Sequence, residues 1–445
     1  MTDRSHGSFR TAVSRRDMIR MAGLSGLGLG LGACGRGFGG GGDDSAGDAV
    51  RLNMVWWGDA TRAQKTQAAL DIFQRKHSGI TVKTEYQDSG PYKDKLATRF
   101  AAGEPPDLLA MRTDSLREYA DRGALLDLSK HADILDLGSV VDNARKLGVV
   151  GDKNFGVPSG LNSVGFVVNK TLADKYGVTI PDGDTWTWDD LASFARRLTL
   201  KSGRKVYGTV FEPATLANVI VFTRQRGEDF YTADGKLGLT EATLTAWLEM
   251  IEKMRAEGGF PPAGFVDPSI GSSPDKSYLA KGTVASQIIP TNNFLNYNAA
   301  AGGNLVLLRM PGETTAKRRG QSIDTPALWS VSAKSKHPKE AVTLLNFLIN
   351  DVDGAKAVGT TRGVPSNKKI AEDIKATLQP DDKTATDYLI GLQAESLPPA
   401  YTYPTGSSKL NGILLSLTSE VEFKRKAPAQ AAKEFLDGAR EALAQ

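Results

Sequence analysis

The sequence predicts an α/β protein built on parallel sheet with crossover helices, and three observations carry that prediction. Strand-like and helix-like segments alternate from about residue 50 onward, the arrangement that parallel sheets require. The chain has 445 residues, too many for one compact core, so two domains or lobes are the default. Hydrophobic residues make up 40% and charged residues 24%, the balance of an ordinary globular chain.

The elements follow in order. Val50–Trp57 is a strand ending at Gly58-Asp59, and Thr61–Lys76 has helical spacing with Ala69, Leu70, Ile72 and Phe73 on its apolar face. Gly79–Tyr86 is a second strand, Tyr92–Ala102 a second helix closed by Gly103, and Pro106–Met111 a third strand. Leu116–Arg122 is a third helix, with Gly123 just past its end. Thr187 with Asp190 three residues later forms a capping box ahead of another amphipathic helix. Trp329–Ala333 reads as a strand, and Leu244–Glu257, Ala341–Asn350, Thr384–Leu392 and Ala427–Ala444 read as amphipathic helices covering the sheets.

Composition removes several functional classes. The formal net charge is +4, and no basic tract carries interleaved aromatics, so no nucleic-acid partner is expected. The four histidines (His6, His77, His131, His337) stand far apart and there is a single cysteine, so neither a metal site nor an internal disulfide is expected. No cofactor is expected either. A G-x-G-x-x-G match at Gly35–Gly40 has no preceding strand and no following helix, and so fails as a dinucleotide motif. No hydrolase elbow, zinc-protease pair or P-loop occurs, and the paired acids Asp189-Asp190 and Asp381-Asp382 fit helix starts or turns. No enzymatic activity is expected. An exported glycosidase or lyase is the alternative, since two carboxylates facing each other across a cleft leave no linear motif.

The first 33 residues read as an export signal. Arg15-Arg16 precedes Asp17-Met18-Ile19-Arg20, and a weakly hydrophobic, Gly-diluted run leads to Leu31-Gly32-Ala33-Cys34. This is the pattern of a twin-arginine leader with a lipoprotein cleavage site, so Cys34 is expected to become the lipid-bearing N-terminus. Residues 34–49 then form a flexible tether to the outer face of the membrane.

The punctuation of the body resembles a known family. Trp57-Gly58, Gly79–Val82, Tyr92 with Lys95-Leu96, Gly103 with Pro106-Asp107-Leu108, and Gly123–Ser129 occur in order. Gly156-Val157-Pro158 follows, then Val164–Lys170, then Pro181 with Thr185–Leu191, and finally Arg362–Ser366. The series is similar to the family-1 extracellular solute-binding proteins of bacterial ABC importers, the group that includes the maltose-type sugar binders. The resemblance implies a periplasmic-binding-protein-like fold: two α/β lobes, each a mostly parallel sheet flanked by helices, with several inter-lobe crossings. It places 50–160 with 286–348 in the first lobe and 161–285 with 349–445 in the second, with crossings near Ser159–Ser163, Ile289–Thr291 and Asn350. It further implies a monomer that hands its ligand to an integral-membrane ABC permease.

Open α/β sheets bind ligands beyond the carboxyl ends of their strands. Those ends carry Trp57, Asp59, Asp88, Met111, Arg112, Asn162, Ser163, Glu212, Asn292, Asn293 and Arg362, and a Pro-rich loop adds Tyr401. Aromatic rings with planar polar groups suit a sugar or short oligosaccharide: C–H faces pack on rings while hydroxyls meet carboxylates and amides. With only Arg112 and Arg362 at these ends, a neutral ligand is favoured over an anionic one, and the scarcity of clustered acids argues against a polyamine. A peptide remains open as a further alternative ligand. Strand alternation turns Trp56 and Trp57 to opposite sides, and Trp57 is expected in the cleft. Asp59 and Asp88 serve equally well as helix-cap and turn residues, Trp186 and Trp188 as packing at a helix start, and Tyr401 and Tyr403 as pins for their loop.

Overall fold

The computed structural model describes residues 49–444, apart from 233, 269–272, 396 and 399–400. The leader, Cys34 and the tether expected from the sequence lie outside the described residues, as do Pro399 and Ala400 of the loop that carries Tyr401.

The chain begins with β1 (Val50–Trp57), α1 (Ala60–Lys76), β2 (Ile80–Gln87), α2 (Ser89–Ala101), β3 (Leu108–Met111) and α3 (Leu116–Asp121). Next come β4 (Val157–Pro158), β5 (Val164–Asn169), α4 (Trp188–Lys201), α5 (Leu216–Gln225), α6 (Glu241–Ala256), β6 (Ser286–Pro290), α7 (Phe294–Ala300) and β7 (Leu305–Leu308). The chain continues with β8 (Leu328–Val331), α8 (Pro338–Asn350), α9 (Val352–Val358) and α10 (Lys368–Lys375). It ends in α11 (Pro380–Gln393), α12 (Ser407–Glu422) and α13 (Pro428–Ala444).

Two sheets organise these elements. In the first, of order β2-β1-β3-β8-β4, β1 runs parallel to β2 from Val50↔Ile80 to Trp57↔Gln87 and parallel to β3, while β8 runs antiparallel to its neighbours. Alternation sorts its side chains. Leu52, Met54, Trp56, Ala110 and Trp329 face α1 and α8, where Leu70, Phe73 and Leu345 meet them. Val55, Leu109, Met111 and Leu328 face α2 and α3, against Tyr92, Leu96 and Leu116. The second sheet, β6-β5-β7, differs from the parallel arrangement the sequence suggests, because β5 is antiparallel to both neighbours. Its Phe166, Val168 and Ile288 join Phe194, Trp247 and Phe435 in the larger core. Val167, Ile289 and Leu305 pack with Phe294 of α7 and Ala385 of α11 on the other face.

Strand pairing moves two of the expected boundaries. Residues 286–308, grouped by the sequence with β1, pair with β5 instead. Residues 349–375, grouped with the second half, stay with the first: α9 packs on α1, and Lys76 Nζ reaches Asp351 at 2.8 Å and Asp353 at 3.0 Å. The chain passes from elements of one sheet to elements of the other at 159–163, between β7 and β8 and between α10 and α11. At the crossing Leu161 bridges Val364 and Asn162 bridges Asp324, so three segments lie side by side. The approach requires glycine: a Cβ on Gly160 would stand 2.1 Å from the Arg362 carbonyl oxygen, and Gly363, at φ +88°, would meet the Leu161 oxygen at 2.2 Å.

The capping box forms as read. Asp190 N–H donates to Thr187 Oγ1 at 3.1 Å, and Thr187 N–H donates to Asp190 Oδ2 at 2.9 Å. Trp186 is buried and donates to the Arg309 carbonyl, while Trp188 packs edge-on against Phe222 and Trp247, so both serve the core.

Candidate functional site

A cleft of about 660 Å³ opens between the two sheets. Ten of the twelve residues singled out from the sequence line it: Trp57, Asp59, Asp88, Arg112, Asn162, Ser163, Glu212, Asn292, Asn293 and Tyr401. They come from both sheet-centred halves and from the strands that join them.

Trp57, the last residue of β1, is half-buried and leans on Tyr92 at 5.3 Å, while Trp56 is 1% exposed and faces the core. Asp59 both caps and reaches across the cleft. Its Oδ1 accepts from the Arg62 N–H at 2.8 Å, and its Oδ2 accepts from Asn296 Nδ2 of α7 at 3.3 Å. Asp88 precedes α2 without a side-chain cap bond. Arg112, just after β3, is held by Asp114 through Nε at 3.1 Å and Nη2 at 2.8 Å. Burial raises the Asp114 carboxyl, but the adjacent guanidinium more than offsets this and holds it below the usual carboxylate range.

Asn162 and Ser163 are fixed by hydrogen bonds to two neighbouring segments. Asn162 Oδ1 accepts from Thr291 Oγ1 at 2.8 Å and from the Asn292 N–H at 3.1 Å, and Ser163 Oγ donates to the Ser322 carbonyl at 2.9 Å. Glu212 lines the opposite wall, and burial pushes its carboxyl upward. Tyr401 and Tyr403 both border the cleft, and their loop is tied to the first half by Thr402 Oγ1, which donates to the Val149 carbonyl at 2.6 Å. Tyr403 also packs on Tyr231 at 5.1 Å.

Two of the expected residues lie elsewhere. Met111 is 1% exposed because strand alternation turns it toward α2 and α3, so it belongs to the core. Arg362 is also buried. Its guanidinium sits 5.2 Å from the Trp56 ring and 4.6 Å from the Trp329 ring and donates to Thr66 Oγ1 at 3.0 Å, so it braces the first half behind the cleft.

The cleft also gathers residues with no local sequence signal. Arg62 on α1, Arg224 on α5 and Arg255 on α6 all reach it, so more than two arginines converge. Arg255 is held by Glu252 at 3.1 Å and Glu422 at 3.2 Å, whereas Arg62 donates to the Thr361 carbonyl and Arg224 to Ser322 Oγ at 2.7 Å. Acids are likewise more numerous than the strand ends suggest, since Asp267, Asp324 and Glu422 join Asp59, Asp88 and Glu212. Burial raises the Asp324 carboxyl as it does that of Glu212. Among the described residues no group of three or more His, Cys, Asp or Glu is placed to hold a metal ion, and no helix is long and apolar enough to cross a membrane.

Two α/β halves with a polar, aromatic-lined cleft between them define a solute-binding architecture. The chain belongs to the bacterial extracellular solute-binding protein family, whose model matches residues 58–355. Solved structures agree with this assignment. A periplasmic solute-binding protein from Pectobacterium atrosepticum is 25% identical with a TM-score of 0.75, covering 89% of this chain and 99% of that one. A periplasmic oligogalacturonide-binding protein from Yersinia enterocolitica, in complex with saturated digalacturonic acid, shares the fold at 23% identity and TM-score 0.76, covering 88% and 98%. An ABC substrate-binding protein from Listeria monocytogenes, in complex with cycloalternan, shares it at 19% identity and TM-score 0.74, covering 89% and 100%.

Proposed function

We propose that this protein is the solute-binding component of an ABC importer and that its ligand is a sugar or short oligosaccharide. The observation that carries the proposal is the cleft itself: Trp57, Phe211, Phe260, Tyr401 and Tyr403 interleave with Asp, Glu, Asn, Gln and Arg side chains drawn from both halves. Such a lining meets a sugar's apolar faces and its hydroxyls together. Family neighbours that bind digalacturonic acid and cycloalternan support the same reading.

In this reading the lobes are residues 49–160 with 327–375, and 161–326 with 376–444. The ligand touches both lobes only when they are closed, so binding shifts the population toward the closed form by that differential contact. The closed protein then delivers its ligand to a membrane permease. The twin-arginine leader and Cys34 complete the proposal: a lipid on Cys34 holds the protein near its transporter as a monomer, and residues 35–49 leave the lobes free to move.

A thermal-shift screen across neutral sugars, oligouronides, amines and peptides tests the ligand class. Saturation at about 100 times Kd stabilises by about 2.7 kcal/mol. A larger shift with spermidine or a peptide than with any sugar refutes the sugar reading, and chromatographic detection of ligand turnover refutes the binding-protein reading. Cys34→Ala is expected to yield unprocessed or unanchored protein, and a variant that still partitions with membranes refutes the anchor.

A further inference from the structure

The second-sheet wall of the cleft holds three polar side chains with unused hydrogen-bonding capacity. Asn218 on α5 is 3% exposed; its Nδ2 donates to the Glu212 carbonyl at 3.5 Å, which orients the amide, and its Oδ1 is enclosed without a partner. Gln287 on β6 is 6% exposed, and its enclosed Oε1 also has no partner. Glu212 uses Oε1 to accept from the Ala214 N–H at 3.0 Å and leaves Oε2 free. These groups are neighbours: Val210, two residues before Glu212, bridges to Gln287, and all three side chains line the cleft. Buried polar groups are nearly always paired, so an orphaned pair inside a binding cleft calls for a partner from the ligand.

We propose that Glu212, Asn218 and Gln287 form a hydroxyl-binding subsite that seats one neutral sugar residue. This inference rests on the sugar-binding reading and adds which kind of residue occupies this wall. The chemistry discriminates between ligand classes. A sugar residue brings several hydroxyls, each able to donate and accept: they give protons to Asn218 Oδ1, Gln287 Oε1 and Glu212 Oε2 and accept from the Gln287 Nε2 amide. An ammonium donates to the same three oxygens and leaves only the Gln287 N–H groups unmatched, so a polyamine that binds in place of the neutral sugars overturns the subsite. A carboxylate only accepts, so it leaves the Asn218 and Glu212 oxygens orphaned and faces the Glu212 charge. Of the two cations on this wall, Arg255 is held by Glu252 and Glu422, while Arg224 donates to Ser322 Oγ at 2.7 Å, so digalacturonate is the ligand against which the preference for a neutral sugar is measured. Phe211 and Phe260, also on this wall, supply apolar surface for the ring's C–H face.

Isothermal titration with maltotriose, xylotriose and digalacturonate tests the assignment in the wild type, in Asn218→Leu and in Glu212→Gln. The expected result is that a neutral trisaccharide binds at least tenfold tighter than digalacturonate. Asn218→Leu should lower that affinity at least tenfold without lowering the unliganded melting temperature, because leucine removes an unpaired buried acceptor. Should Asn218→Leu fail to fold, Glu212→Gln decides, with the same tenfold loss expected. Digalacturonate binding as tightly as the neutral sugars, or either folded variant binding like the wild type, overturns the subsite while leaving the sugar reading intact. Binding of none of the three, in a protein that a non-sugar solute stabilises, overturns both.

Discussion

The adjacent tryptophans at the end of β1 offer a paired experiment in which neighbouring truncations have opposite consequences. Trp57 is half-buried and borders the cleft, while Trp56 is 1% exposed and lies beneath the Arg362 guanidinium. A fully enclosed tryptophan buries about 150–250 Å². Half of that, at about 25 cal/mol/Å², sets the folding cost of Trp57→Ala at about 2 to 3 kcal/mol or less. Its loss as a stacking platform should cost about 1–3 kcal/mol of ligand affinity, a weakening of about 5- to 150-fold. Trp56→Ala should instead cost about 3–5 kcal/mol of stability through the cavity it leaves. Part of that loss is Arg362, whose buried charge keeps the Trp329 ring at 4.6 Å and Thr66 Oγ1 but loses one of its two ring contacts. Urea unfolding measures the first quantity, and titration with the best sugar from the thermal-shift screen measures the second. If Trp57→Ala binds that sugar as well as the wild type, Trp57 is not a ligand platform. If Trp56→Ala loses under about 1 kcal/mol, the account of Trp56 and Arg362 as one packed unit is wrong.

Three other perturbations follow from named contacts. Thr187→Ala removes the Oγ1 acceptor of the capping box at the start of α4, leaves the backbone N–H to donate to Asp190 Oδ2, and should cost about 1 kcal/mol in urea unfolding, with ligand affinity unchanged. Gly363→Ala places a side chain at φ +88° and 2.2 Å from the Leu161 oxygen, so it should destabilise by at least about 1–3 kcal/mol and disturb the crossing; a wild-type melting temperature would contradict this. Asp114→Asn removes the carboxylate that holds Arg112 and should cost about 1 kcal/mol at pH 7, since Arg112 is partly exposed. The sign with pH follows from the lowered folded value of Asp114: the contribution is full above the usual carboxylate range and is lost as pH falls through that folded value, so the difference between variant and wild type should shrink at pH 3. Buried Glu313 works the other way. Burial raises its carboxyl, so its contribution to stability declines as pH rises through the carboxylate range.

Local pattern was enough to determine much of this protein. The alternation of strands and helices, the capping box at Thr187 and Asp190, and the opposed faces of Trp56 and Trp57 are all properties of short stretches, because period, cap chemistry and alternation act over a few residues. Ordered punctuation from Trp57 to Ser366 was enough to indicate the family. Tertiary structure alone decided which strands pair. Nothing local distinguishes Ser286–Pro290 as a partner of β5 rather than of β1, because a short apolar strand fits either sheet and long-range packing makes the choice. The cleft shows the same division. Residues at strand ends were found from the sequence because strand ends are predictable, with Met111 the exception: at the end of β3, alternation carried it into the core. Arg62, Arg224 and Arg255 were not found, since each is one surface-type residue on a helix until the fold turns three helices toward one space. Arg362 reverses that lesson. In the sequence it stands at a turn and looks available to a ligand, and only the folded sheet, which puts Trp56 of β1 and Trp329 of β8 on one face, encloses it between two tryptophan rings.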